Sequence, residues 1–214
     1  MTAILELRDL VVSTTPRDGR IRVSLARDRA AFTVVAADAP GARALARAVV
    51  GLARPLSGRV LVSERDVTDL PPGSRQIGYV PSGGALLPHL TVRQNIEYLL
   101  WRQETVGNLI RGWETILVHQ LELGPVLDLR PHEITTEQRL RAALARAVVP
   151  MPEVLVFDLP DATATRSLRE LLGRVETPAA AGPSTVAFTG GDVAVAAADR
   201  VVRAMTVGGA VVGS

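Results

Sequence analysis

The sequence predicts an α/β fold: a mostly parallel sheet flanked by helices, with an antiparallel β-lobe and an inserted helical lobe. Three observations lead to this prediction. Short apolar runs alternate with helical patterns along the chain, as expected of parallel strands joined by helices. The run 154–158 is nearly continuously apolar, which is typical of a strand buried on both faces. The pattern turns helical from 91 to 129 and includes both tryptophans, which indicates a separate lobe.

The individual elements follow from apolar runs bounded by turn residues such as Gly19, Pro55 and Gly58. The predicted strands cover 4–12, 21–25, 31–36, 59–62, 76–80, 154–158, 185–189 and 200–205, and the predicted helices include 41–51 and 168–175. At 214 residues the chain fits one domain, with its core in 1–83 and 132–214 and its helical lobe in 84–131. The aromatic residues expected in the core of the lobe are Tyr98, Trp101 and Trp113.

The composition excludes several classes of function. All 24 basic residues are arginines, but they are scattered and the net charge is only +2, so a nucleic-acid-binding surface is not expected. The absence of cysteine excludes disulfides, thiolate metal sites and thiol nucleophiles. The three histidines lack the spacing of metal ligands, so no metal site is expected. No apolar run reaches the roughly 20 residues of a membrane span. We therefore expect a cytoplasmic chain that reaches the membrane only through a partner.

A strand at 32–35 followed by a helix at 41–51 forms the frame of a P-loop, whose lysine contacts the phosphates of a nucleotide. The pattern G-x-x-x-x-G-K-[ST] aligns with 36–43, where only its second glycine, Gly41, is present. The other aligned or adjoining positions hold Ala36, Asp38, Pro40, Ala42, Arg43 and Ala44. Weak phosphate binding at the helix N-terminus and a simple strand-to-helix turn are both compatible with this sequence, and the turn is favoured. No cofactor is expected, and ATP with Mg²⁺ only if residual binding persists.

Several longer segments, taken in order, resemble the ATP-binding subunit of ABC transporters, in particular its importer branch. The resemblance rests on 49–60, on Gln76-Ile77-Gly78-Tyr79-Val80-Pro81 with 86–96 after it, on 139–148, and on the strand 152–158. It covers nearly the whole chain. It implies the P-loop ATPase fold, a partner ATPase subunit and a membrane subunit that docks near Leu86, Leu87, Pro88, His89 and Leu90.

The same resemblance assigns a role to each position of the ATP site, and most of these positions hold other residues. The Q-loop glutamine falls on Ser82, the glutamate after the Walker B aspartate on Leu159, the D-loop aspartate on Thr165 and the switch histidine on Gly191. The signature L-S-G-G-Q falls on Ile134, Thr135, Thr136, Glu137 and Gln138. Asp158, the Walker B aspartate, is retained. The resemblance therefore predicts the scaffold of an ATPase without most of its catalytic side chains.

Two of these positions have specific structural interpretations. Arg43 is expected to pair with Asp158, because a buried unpaired carboxylate is costly; an exposed or backbone-capped Asp158 is the alternative. Thr135 and Gln138 have the spacing of a helix capping box, which is favoured over any role as a signature motif. Glu137 would place a negative charge where the family meets the partner's nucleotide.

The function we expect is that of a non-hydrolysing ABC ATPase-like subunit that docks a transporter's membrane subunit and pairs with a more intact ATPase subunit. Two alternatives remain open. The chain could bind ATP weakly and hydrolyse it slowly with its partner's residues, or it could be a free scaffold or regulatory protein derived from such a subunit. Neither nucleic acid nor a resident metal is expected.

Overall fold

The computed structural model describes residues 3–14, 19–28, 32–98, 108–159, 168, 170–175, 183–190 and 199–207, with the backbone alone at 108–111. Its strands form two five-stranded sheets. One has the strand order 77–80, 154–159, 184–190, 32–37, 200–203 and is parallel at every pairing. The other has the strand order 205–207, 20–27, 5–13, 57–62, 65–66 and is antiparallel throughout. The predicted combination of a parallel sheet with an antiparallel β-lobe is confirmed.

The strands are β1 (Leu5–Ser13), β2 (Arg20–Arg27), β3 (Phe32–Ala37), β4 (Ser57–Val62), β5 (Arg65–Asp66), β6 (Ile77–Val80), β7 (Val154–Leu159), β8 (Ser184–Gly190), β9 (Arg200–Arg203) and β10 (Met205–Val207). The helices are α1 (Ala39–Val49), α2 (Val92–Glu97), α3 (Asn108–Gln120) and α4 (Thr136–Val148), with short 3₁₀ turns at Pro72–Ser74 and Gly124–Val126. Residues 168 and 170–173 are also helical, within the predicted helix 168–175. None of the helices in the described ranges combines the length and apolar character needed to cross a membrane.

The parallel sheet separates two apolar cores. Val34 packs with α2, α3 and α4 on one face, whereas the next residue, Val35, packs with α1 and the antiparallel sheet on the other. Because successive strand side chains point to opposite faces, a strand with both faces covered must be apolar at every position. This explains the nearly continuous apolar run of β7, in which all six residues are buried.

The C-terminal end of α1 is held by one buried side chain. Arg75, only 3% exposed, donates hydrogen bonds from Nη1 to the carbonyl oxygens of Ala48 (3.0 Å) and Val49 (2.9 Å), which lie in the last turn of α1. Its Nε and Nη2 donate to the carbonyls of Leu70 and Thr68. Gly51 follows α1 with φ +85°, and a Cβ there would lie 2.5 Å from Arg75 Nε. The guanidinium thus ties the 3₁₀ turn region to the end of α1.

One strand prediction was wrong in detail, and one strand was not predicted. The run 200–205, predicted as one strand, is divided between β9, which pairs with β3, and β10, which pairs with β2 in the other sheet. The chain changes sheet at Ala204, whose N–H donates to the Ala36 carbonyl at 2.9 Å. The sequence of 200–205 contains no turn residue that would signal such a transfer. The short strand β5 was missed because its two residues are exposed and polar.

Trp113, one of the aromatic residues predicted in the core of the helical lobe, is buried. Trp113 on α3 is buried in the same core as α2 and α4, as expected, and Tyr98 is half-buried. Trp101, the third aromatic residue predicted there, lies outside the described residues.

Candidate functional site

The start of α1 is capped by a carboxylate from the chain itself. β3 ends at Ala37, and Asp38 follows as the N-cap residue in an extended conformation. Its Oδ1 accepts a hydrogen bond from the Gly41 N–H at 3.1 Å, and its carbonyl accepts from the Ala42 N–H at 2.8 Å. Pro40 lies in the first turn, where its missing N–H interrupts no helical hydrogen bond. One of the N–H groups with which a P-loop would hold phosphate is therefore already bonded.

Gly41 is required by this cap. A Cβ at Gly41 would collide with Asp38 Oδ1 and would lie 2.6 Å from Ile21 Cδ1. Ile21 comes from β2 and is buried over the start of α1. The only P-loop glycine in this sequence is thus explained by the close approach of a carboxylate and an apolar side chain. The strand-to-helix turn alone accounts for this glycine.

Arg43 and Asp158 form the predicted ion pair. Arg43 lies in the first turns of α1 and Asp158 near the end of β7, and the shortest distance between them joins Arg43 Nε to Asp158 Oδ2 at 3.5 Å. The Asp158 side chain is only 8% exposed, whereas that of Arg43 is 64% exposed. Burial raises the pKa of Asp158, and the nearby Arg43 and Arg47 offset part of that rise. The acid is therefore retained in an environment that opposes its ionisation.

The described side chains next to Asp158 in sequence and on the loop after β6 add no second carboxylate. Leu159 is buried and apolar, and the half-buried Ser82 stands on the loop after β6. No group of three or more acidic or histidine side chains within the described ranges is arranged to hold a metal ion. Burial, and then the Asp158 charge, raise the pKa of Tyr79 on β6 to about 12, so its hydroxyl keeps its proton. The residues present do not fit a magnesium–nucleotide complex. The Asp38 carboxylate lies at the start of α1, where phosphate would bind (the phosphate end), and the Arg43 guanidinium lies at Asp158, where the metal ion would bind (the metal end).

The start of α4 is the predicted capping box. Thr135 Oγ1 accepts from the Gln138 N–H at 3.2 Å, and Gln138 Oε1 accepts from the Thr135 N–H at 2.9 Å. Ile134, just before the cap, is buried. Thr136, the first residue of the helix, is exposed and its Oγ1 accepts from Arg139. Four of the five positions aligned with the signature motif therefore serve the local structure of the helix.

Glu137 places its negative charge in the first turn of α4, where it pairs with an arginine of the same helix. Glu137 Oε1 lies 2.6 Å from Arg141 Nη2, one helical turn further along α4. Arg141 also pairs with Glu122, which in turn lies 3.5 Å from Arg174. The charge of Glu137 is thus shared with a network that joins α4 to the end of α3 and to the helix at 170–173. The i, i+4 spacing of Glu137 and Arg141 is a signal that the sequence already contained.

A cavity of about 530 Å³ adjoins these groups. Its lining includes Ser82, Glu137, Asp158 and Leu159, so the structure brings together positions from the Q-loop, signature and Walker B segments of the resemblance. The loop that enters it from β6 is fixed by α4: Arg146 donates from Nη1 to the Ala85 carbonyl and from Nη2 to the Gly84 carbonyl, both at 3.1 Å. Sequence reasoning missed this role of Arg146.

Comparisons with known proteins agree with this architecture. Residues 41–162 match the family described as "ABC transporter". The chain belongs to the ABC transporter family. Among its relatives is a spermidine/putrescine import ATP-binding protein of Frankia alni, 34% identical over 71% of this chain and 33% of the relative. Another is an sn-glycerol-3-phosphate import ATP-binding protein of Bordetella avium, 34% identical over 67% of this chain and 40% of the relative. This ABC-family chain therefore spans between a third and two fifths of the length of these relatives.

Two solved structures show the same fold at low sequence identity. CbiO1 from Clostridium perfringens, described as part of an ABC transporter complex, superposes with a TM-score of 0.71 at 20% identity, covering 95% of this chain and 85% of that one. An ATP-binding cassette in a dimeric post-hydrolysis state with ADP and Pi superposes with a TM-score of 0.72 at 20% identity, covering 93% of each chain.

The loop expected to dock a membrane subunit is held by a buried side chain. Leu86, Leu87 and Leu90 in this loop are half-buried. Asn95, fully buried on α2, fixes the loop: its Oδ1 accepts from the Leu87 N–H, and its Nδ2 donates to the carbonyls of Leu87, Leu90 and Thr91. Only Pro88 and His89 at the tip are exposed.

Two of the expected site positions lie outside the described residues. These are Gly191 and Thr165, aligned with the switch histidine and the D-loop aspartate. Ala36 and Ala44 are in the described part: Ala36 is buried in β3, and Ala44 is partly buried on α1 against the core next to the antiparallel sheet. Neither has a polar side-chain atom that could contact a ligand.

Proposed function

We propose that this chain is a non-hydrolysing ABC ATPase-like subunit that docks a transporter's membrane subunit and pairs with a more intact ATPase subunit. The observation that carries the proposal is the Arg43–Asp158 ion pair at the positions where the family holds magnesium. Phosphoryl transfer depends on positioning and on electrostatic stabilisation of the transferred group. A site with Ala42 for lysine, Leu159 for the base and a guanidinium at the metal position supplies little of either.

The docking half of the proposal rests on the loop held by Asn95. A buried asparagine with four hydrogen bonds to one loop fixes the backbone of that loop, since leaving those groups unpaired would be costly. The exposed tip at Pro88 and His89 is then a rigid, shaped surface. The import ATP-binding relatives and the resemblance of 86–96 to the importer branch support assigning this surface to a membrane subunit at the cytoplasmic side of the membrane.

Slow ATP turnover with residues from the partner is the second candidate. The observation that favours it is the 64% exposure of the Arg43 side chain, because an exposed guanidinium can leave Asp158 at small energetic cost. The two candidates differ in a direct measurement. We expect no ATPase activity of the purified chain above background. In the complex with its partner, turnover that disappears when this chain carries Asp158→Ala would establish the second candidate.

The partners are tested by affinity purification of the native complex followed by native mass spectrometry. We expect a hetero-oligomer that contains a membrane subunit and a different ATPase subunit. The variant Pro88→Ala with His89→Ala should lose the membrane subunit, because it changes only the exposed tip of the docking loop. His132→Ala, an exposed histidine elsewhere, is the matched control and should leave the complex unchanged. A lone chain or a symmetric homodimer would contradict the proposal.

A further inference from the structure

We propose that this chain fills its nucleotide site with two of its own side chains: Asp38 in place of a phosphate group and Arg43 in place of the metal ion. This deepens the proposed function, on which it rests, by naming what occupies the site. The result is a site that does not take up nucleotide with Mg²⁺.

The phosphate end is closed by charge and by bulk. The Asp38 carboxylate bonds the Gly41 N–H at 3.1 Å, one of the donors that an incoming phosphate would need. A second anion at this helix start would meet that carboxylate at close range and would be repelled by it. Ile21 covers the same point, since it approaches so closely that a Cβ on Gly41 would lie 2.6 Å from its Cδ1. An anion therefore has neither a free Gly41 N–H nor open space at this point.

The metal end is closed by the opposite charge. Arg43 follows Gly41 by two residues, which places its guanidinium over Asp158 at the end of β7, with Nε 3.5 Å from Oδ2. A divalent cation at Asp158 would have to displace this guanidinium or lie beside it, and the latter is opposed by like-charge repulsion. Both groups lie on or next to the first turns of α1. A single short segment, 38–43, thus supplies a negative group for one end of the site and a positive group for the other.

The experiment is a set of four chains that all carry Ala42→Lys, which restores the lysine of the P-loop pattern. One has no other change, one adds Asp38→Ser, one adds Arg43→Thr, and one adds both. Serine keeps the helix cap while removing the carboxylate, and threonine restores the hydroxyl of the pattern. Binding of Mg²⁺-ADP is measured by isothermal titration calorimetry and by the rise in Tm that a bound ligand produces. Ala42→Lys with Asp128→Ser, an exposed acid elsewhere, is the control for net charge.

We expect Mg²⁺-ADP to bind the chain with both added changes at least about tenfold more tightly than either chain with one of them. The natural chain, the chain with Ala42→Lys alone and the control should show no stabilisation. Equal binding with Asp38 and Arg43 in place would overturn the proposal. So would a folded chain with both changes that does not bind. Either result would refute only the proposal about the nucleotide site. The proposed function is tested separately, by the subunit composition of the complex in native mass spectrometry.

A second set guards against a fold that cannot accommodate lysine at position 42, because Ala42 is buried. Asp38→Ser with Arg43→Thr in the otherwise natural chain is compared with the natural chain, using Mg²⁺-pyrophosphate as the probe. We expect a rise in Tm that requires Mg²⁺ in the variant and none in the natural chain. A rise in the Tm of the natural chain would contradict the proposal that Asp38 and Arg43 fill the site. So would the absence of any rise in Tm for both proteins when both are folded.

Discussion

The two ends of α1 are held by different kinds of contact. At its C-terminal end, Arg75 is almost completely buried and donates to four carbonyl oxygens, two of them from the last turn of the helix. At its N-terminal end, Asp38 makes one cap hydrogen bond and the exposed Arg43 makes one ion pair. The C-terminal end is a structural joint, by which we mean that Arg75 connects the last turn of α1 to the carbonyls of Thr68 and Leu70. The N-terminal end is the position at which the family binds nucleotide. The buried hydrogen bonds that would be costly to lose therefore lie at the C-terminal end of α1 rather than at its nucleotide end.

The energetic reason lies in burial. A carbonyl that loses its hydrogen-bond partner inside the protein remains desolvated and unpaired, whereas an exposed group that loses its partner is solvated by water. Substitutions at the nucleotide end therefore have small effects on folding. Catalytic residues can be replaced there without loss of the scaffold that a docking subunit needs. Four substitutions test this difference.

Arg75→Ala should have the largest effect. It removes the hydrogen-bond donor of four carbonyl oxygens, two buried and two partly buried, and the cation at the C-terminal end of the helix dipole, so we expect a loss of stability on the order of 3 kcal/mol. Urea denaturation of the chain measures it. Arg54→Ala, at an exposed arginine near the same end of α1, should change stability by less than about 0.5 kcal/mol. A loss at Arg75 no greater than that of the control would show that the joint is not structural.

Asp38→Ala should come next, with a loss of about 1 kcal/mol, the usual value of a helix N-cap. The carboxylate satisfies the Gly41 N–H, and alanine offers it no acceptor. Asp38→Ser is the matched control and should restore most of the loss, because serine also caps helices. Thermal and urea denaturation measure both variants. A loss in Asp38→Ser as large as that in Asp38→Ala would mean that the cap hydrogen bond is not the source of the stability.

These groups also show which parts of the site a sequence can predict. Local partners are readable: the Thr135 capping box was predicted, and the Asp38 cap and the Glu137–Arg141 pair have spacings of three and four residues that the sequence displays. The Arg43–Asp158 pair, although distant in sequence, was predicted because the family resemblance places both residues in one site.

The joint at Arg75 could not be predicted, because its acceptors are backbone carbonyls up to 27 residues away and any residue type could supply them. The same holds for Asn95, whose carbonyl partners leave no mark on the sequence. At the level of the fold, most strands followed from short apolar runs, but the change of sheet at Ala204 did not. A strand pattern records which face of a strand is buried and not which neighbour it pairs with.

Asp158→Asn should act in the opposite direction and increase stability at neutral pH. Burial raises the pKa of Asp158 above its ordinary value, so the folded state holds this proton more tightly than the unfolded state does. The resulting contribution to stability is fully present below the ordinary pKa and is lost as the pH rises through the folded pKa. Asparagine removes that loss. The effect is reduced by Arg43 and Arg47, which partly offset the burial.

The measurement is the free energy of unfolding from about pH 4 to about pH 7 for both proteins. The difference between variant and natural chain should grow as the pH rises. Asp128→Asn, at a side chain that is 88% exposed, is the control and should show no such growth. A variant less stable than the natural chain at neutral pH would mean that the Arg43–Asp158 attraction outweighs the burial of the carboxylate.

Arg43→Ala should have the smallest effect, a loss of less than about 1 kcal/mol, because the side chain is largely exposed and its ion pair is weakened by solvent. Its second consequence is on titration: the Arg43 charge and hydrogen bond lower the pKa of Asp158, so their removal should move that pKa further up. The carboxyl carbon signal of Asp158 in a pH titration by NMR reports this shift, and Arg43→Lys, which keeps the charge, should show less of it. If Arg43→Ala instead destabilised the chain as strongly as Arg75→Ala, the two ends of α1 would be equivalent structural joints. The nucleotide end would then have been rebuilt to hold the fold together, and its departures from the family pattern would reflect stability rather than the removal of a ligand.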